Sequence, residues 1–207
     1  MSAISTKMLT TNRARLGVLA LTALAAGSAL AHPGHPDSVM NASASFGAGF
    51  EHPFSGIDHL LAMLAVGLWA AQNKQRALWV LPLAFPLMMV VGALLAVAGL
   101  SLPGVETGIA ASVAVLGLLI AFAVRLPLWG STLVVSLFAL FHGYAHGTEL
   151  PHGSMAALYG AGFVLATAIL HAAGLIVGVV AGRQMADRVV RIGGVGIAAV
   201  GAYLLAA

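Results

Sequence analysis

Long runs of apolar residues without a single charge recur from about residue 48 to the C-terminus, and they limit this chain to one solvent for most of its length. A helix rises 1.5 Å per residue and a bilayer's hydrocarbon core is about 30 Å thick, so ~20 such residues cross it. Runs of this kind predict helices near 48–71, 77–99, 106–124, 127–147, 154–181 and 189–206. The expected fold class is therefore all-α: a polytopic membrane helical bundle of about six transmembrane helices in one domain, residues 32–207, with short loops. Only 7% of the residues are charged, against about 25% in a soluble domain, which excludes a water-dissolved enzyme and, with this hydrophobicity, a disordered chain.

Residues 1–31 read as a cleaved signal peptide. A basic stretch ends at Arg15, the apolar run LGVLALTALAAGSAL follows, and Ala29-Leu30-Ala31 supplies the small residues that signal peptidase requires. Cleavage there leaves His32 as the new N-terminus, outside the cell. The pI near 9.8 owes much to Lys7, Arg13 and Arg15 in this leader; without them basic and acidic residues balance at six each. No nucleic-acid footprint remains, and the partner implied by composition is the lipid bilayer. The absence of cysteine excludes disulfides, thiolate zinc sites and iron–sulfur clusters.

Loop charge sets an expected orientation. Lys74, Arg76, Arg125, Arg183, Arg188 and Arg191 all fall in alternate loops, while the loops around SLPGV and GTELPHG hold neither Lys nor Arg. The positive-inside rule then places both the N-terminus and the C-terminus of the mature chain in the periplasm. Gly174, Gly178 and Gly182, and likewise Gly143 and Gly147, have the spacing of close helix packing. Pro82 and Pro86 predict a kinked second helix whose freed backbone groups neighbours must satisfy.

Ionisable groups inside a span cost about 2.5–3.5 kcal/mol each on insertion scales, so those present are paired, wetted or functional. Here they cluster. His52 and His59, read as two turns apart on one continuous helix, share a face with Met63, and Asp58 beside His59 needs a partner. On the fourth helix His142 and His146 stand one turn apart, with Glu149 continuing the stripe. Convergence of the two sets would give nitrogen and oxygen ligands suited to Ni²⁺, Co²⁺ or Zn²⁺ rather than Cu(I) or Mg²⁺. Less decisive candidates are His32 and His35 near the new terminus, His152 in an outer loop, and His171 deep in the fifth helix, where a packing role is the plainer reading.

Three functions suit such a cluster. The first is a secondary permease, since no phosphate-binding GxxxxGK[ST] loop occurs. The second is an intramembrane zinc-dependent hydrolase using the same His/Asp cluster, although HExxH is absent. The third is a b-type haem protein with histidine axial ligands.

HPFSGIDHLLAM at 52–63 and FHGYAHGTELP at 141–151 resemble the motifs of the HupE/UreJ family of nickel/cobalt permeases. The likeness extends over essentially the whole chain. It implies a bacterial inner-membrane importer serving a hydrogenase or urease maturation system, with a periplasmic metal source and no permanently bound cofactor. The metal carried varies within that family and does not follow from the likeness; among the ions that suit these ligands, Ni²⁺ is expected first and Co²⁺ second, with Zn²⁺ a third. The metal-associated positions it implies are His52, Asp58, His59, His142, His146 and Glu149.

Overall fold

A computed structural model of the chain describes residues 39–183 and 187–207. The leader expected at 1–31 and the histidines at 32 and 35 lie outside the described residues. The described residues form seven helices and no strand: α1 (Ala42–Ser55), α2 (Ile57–Asn73), α3 (Ala77–Val97), α4 (Val105–Ala121), α5 (Leu128–Thr148), α6 (Ala156–Arg183) and α7 (Asp187–Ala206).

The expected first span is not one straight helix. It is two, α1 and α2, bent by 82° at Gly56, whose backbone is extended there (φ −103°, ψ 125°). α1 begins at an Asn41 cap whose Oδ1 accepts the Ala44 N–H at 2.8 Å. Apolar periodicity cannot report such a break, because hydrophobic residues continue on both sides of it. Its consequence is that His52 and His59 do not share a helix face; the bend brings their rings to 5.9 Å from two different helices.

Four helices, α3, α5, α6 and α7, are long and apolar enough to cross a membrane singly, and the α1–α2 pair makes five if counted together. α4 has 17 residues and is apolar but shorter. The C-terminal end of α4 shows how it can stop. Trp69 Nε1 donates to Val124 O at 2.9 Å, Gln72 Nε2 to Ile120 O at 3.1 Å, and Arg191 Nε to Ala121 O at 2.8 Å. Carbonyls left over at a helix end are thus satisfied by side chains rather than by water.

The packing is that of a multi-pass membrane protein. The outside is apolar: Leu83, Leu87 and Leu94 on α3 and Leu133 and Leu137 on α5 are exposed. The inside holds Trp69, Phe85 and Leu116 together with Ser112, Ser131 and Thr167. With no hydrophobic drive between helices in lipid, small residues let backbones approach. A Cβ on Gly143 would overlap the Met89 carbonyl across the α3–α5 contact, and one on Gly67 would overlap the His171 carbonyl across the α2–α6 contact.

A candidate metal centre at the α1–α2 break

The break at Gly56 builds one side of the site. By starting a new helix, it moves Asp58 from the interior of a long helix to the first turn of α2, where exposed N–H groups favour a carboxylate. Asp58 Oδ1 accepts the His59 backbone N–H at 2.7 Å and the His59 ring Nδ1–H at 2.8 Å. The partner that an intramembrane aspartate requires is therefore its own neighbour. With Nδ1 protonated, His59 Nε2 carries the lone pair, and that atom is buried without a partner among the described residues.

The last turns of α5 build the other side. His142 and His146 are both buried and face the α2 histidine: ring centroids lie 4.9 Å apart for His59–His142 and 4.6 Å for His59–His146. From α1, His52 packs on His146 at 4.7 Å. Ligand atoms of His52, His59 and His146 all lie within 4.8 Å of one another, on three different helices. Glu149 caps α5 and its Oε2 lies 3.3 Å from His52 Nε2, tying α1 to α5 at the mouth of the cluster.

A residue that sequence reasoning missed fixes the fourth imidazole. Ser112 on α4 donates its hydroxyl proton to Ile109 O at 2.6 Å, so its oxygen can only accept from His142 Nε2, 2.9 Å away. His142 Nδ1 is then the free lone pair, and among the described residues it has no partner. Neither ring nitrogen of His146 has one there either. Buried polar atoms are nearly always paired; the unpartnered nitrogens of His59 and His146 belong to the converging His52–His59–His146 group, a donor set suited to a cation, and His142 flanks it against the His59 ring.

Six expected residues thus meet here, but in two roles. His52, His59, His142 and His146 present ring nitrogens; Asp58 and Glu149 each hold a histidine by a hydrogen bond or close ion pair. Met63 is buried one turn past His59. His152 is exposed in the α5–α6 loop, outside the cluster. His171 is buried but stands apart, with Phe85 touching both it and His142. Phe163 packs on His146 at 3.9 Å and Tyr159 lies 6.1 Å from His52, closing the α6 side. No spacing rule marks Ser112, Phe163 or Tyr159, because each acts across helices. The break itself falls at Gly56, inside the segment expected as one continuous helix.

An apolar groove of about 770 Å³ between α3, α5 and α6 reaches His146 from the side, past Val90, Leu94, Tyr159 and Val164. Apart from His146 and Tyr159, the side chains of its walls are apolar. The direct contacts among the histidine rings also leave no slot for a porphyrin between them, which disfavours the haem reading.

The HupE / UreJ protein family model matches residues 19–204. A curated relative, "Protein HupE" of Rhizobium leguminosarum bv. viciae, is 46% identical over 187 residues, covering 89% of this chain and 94% of that protein. No solved structure matches the chain.

Proposed function

We propose that this chain, which belongs to the HupE/UreJ family, is a secondary permease that imports a divalent transition-metal ion, Ni²⁺ first and Co²⁺ second, across the bacterial inner membrane. The observation that carries this reading is the meeting of His52, His59 and His146 ligand atoms within 4.8 Å at the α1–α2 break. Imidazoles from separate helices can replace an ion's water one ligand at a time, and a set that is not a rigid closed cage can release it again. With the 17-residue α4 counted as a sixth crossing beside the five of the fold, loop charge supports both ends of the mature chain in the periplasm, so the cluster lies in the outer half of the bundle and faces incoming metal. The periplasm would supply the ion and a hydrogenase or urease maturation system would take it.

The hydrolase reading needs a carboxylate free to take a proton from metal-bound water. Asp58 and Glu149 are instead engaged with His59 and His52, which supports transport over catalysis. Radiolabelled nickel uptake in cells expressing the protein, with cobalt and zinc as competitors, tests the proposal. Uptake no greater than in cells with an empty vector would overturn it, and a stoichiometric zinc that survives chelator washing would point to the hydrolase.

A further inference from the structure

Pro86 has no N–H, so the carbonyl of Pro82, one turn earlier on α3, lacks its helical donor. His171 on α6 supplies one: its Nδ1 lies 3.3 Å from that oxygen. A carbonyl can only accept, so Nδ1 carries the proton and Nε2 presents a lone pair. Among the described residues that nitrogen is buried without a partner, in a side chain only 1% exposed. Satisfying Pro82 explains one ring nitrogen of His171 and leaves the other unexplained.

Two more donors accompany it. Thr167 precedes His171 by one turn on the same face of α6, and its hydroxyl donates to the Met63 sulfur at 3.4 Å. Met63 follows His59 by one turn on α2. The two helices run in the same direction, since Gly67 abuts His171 while Gly178, farther along α6, abuts Ala71, farther along α2. Buried donors therefore descend from the outer cluster in the order His59, Met63, Thr167, His171. The Phe85 ring touches the upper and lower sets, with centroids 5.6 Å from His142 and 5.2 Å from His171.

We propose that Met63, Thr167 and His171 form an inner relay site for a borderline-soft divalent cation, reached from the outer histidines past the Phe85 ring. The inference rests on the transport reading above. One thioether, one hydroxyl and one imidazole bind such an ion more weakly than several imidazoles do, which suits a station that must pass its ion on.

Two variants test it, each read by nickel uptake in cells and by nickel titration of the purified protein. Met63→Leu conserves volume and removes the sulfur. Pro86→Ala/His171→Leu restores a backbone donor for Pro82 and removes the imidazole, so that a purely structural need for His171 disappears; Pro86→Ala alone is the control and retains uptake. The expected result is at least a tenfold loss of uptake in both test variants, with outer-site affinity within about twofold of the parent. Parental uptake in either test variant overturns the relay. Parallel loss of affinity and uptake also overturns it, by assigning these residues to the shape of the outer cluster. His59→Ala separates the two proposals: if it abolishes uptake while the test variants transport normally, only the relay falls, and if it too transports normally, the permease reading falls with it.

Discussion

Asp58 Oδ1 takes both hydrogen bonds it receives from a single residue, the backbone and ring N–H groups of His59 at 2.7 and 2.8 Å. The carboxylate thereby fixes the rotation of the imidazole and decides which nitrogen faces the cluster. Carboxylate-oriented histidines are a recurrent feature of metal sites, and losing the orienting group costs about 10–100-fold in affinity. Asp58→Ala is expected to lower nickel affinity of the purified protein by that factor, and Asp58→Asn, which keeps an acceptor oxygen but no charge, by less. Calorimetric titration checks this, and an unchanged affinity in Asp58→Ala would remove the carboxylate from the site.

Gly56 should matter through the same pair. Its φ of −103° is open to any residue, so backbone freedom is not the reason for glycine there. A Cβ would stand 2.6 Å from Asp58 Oδ1 and 3.1 Å from His59 Nδ1. Gly56→Ala is expected to reach the membrane in normal amounts and yet lose nickel uptake to the extent that Asp58→Asn does. Full uptake would mean the carboxylate can move aside at no cost.

Ser112→Ala removes the only acceptor of the His142 Nε2 proton among the described residues. A buried donor left without a partner costs about 1–3 kcal/mol. If the proton moves to Nδ1 instead, the lone pair facing the cluster is lost. Both routes predict a lower melting temperature in detergent or weaker nickel binding, and a variant unchanged in both measurements would place His142 outside the site.

How far the sequence revealed this arrangement depends on the kind of signal each part leaves. Apolar runs without charge disclose helices, since period and length are local properties, and a His/Asp/Glu cluster in such runs stands out because each member is costly there. The bend at Gly56 left only a glycine, indistinguishable by pattern from Gly67 or Gly143, which serve helix contacts. Ser112 and Phe85 left nothing, because their roles arise from the pairing of α4 and α3 with other helices. The Pro82–His171 bond was half visible: Pro86 announces an orphaned carbonyl, but which neighbour answers it is a tertiary fact.

Orientation carries its own prediction. On the proposed topology, a C-terminal alkaline phosphatase fusion is expected to be active and a fusion in the loop holding Lys74 and Arg76 inactive. The reverse pattern would invert the bundle and turn an importer's mouth toward the cytoplasm.

Helix packing sets the positions of the imidazoles, so a residue that binds nothing should still control affinity. Gly143 lies between His142 and His146 in sequence and presses its α-carbon side against the Met89 backbone, where a Cβ would overlap the carbonyl oxygen; Gly92 makes the reciprocal approach to Leu140. A Cβ on Gly160, on α6, would meet nothing within 4 Å. By propensity alone Gly→Ala in a helix interior stabilises by about 1 kcal/mol. Gly160→Ala is therefore expected to be neutral or slightly stabilising in thermal unfolding. Gly143→Ala must instead push α3 from α5, withdrawing backbone contacts along the seam that carries both α5 histidines, and overpacking of this kind costs about 1–3 kcal/mol. The expected outcome is a lower melting temperature and at least tenfold weaker nickel binding in Gly143→Ala, with Gly160→Ala like the parent in both. Equal behaviour of the two variants would show that the α3–α5 seam yields without moving the site, and that the histidines owe their positions to the α1–α2 break alone.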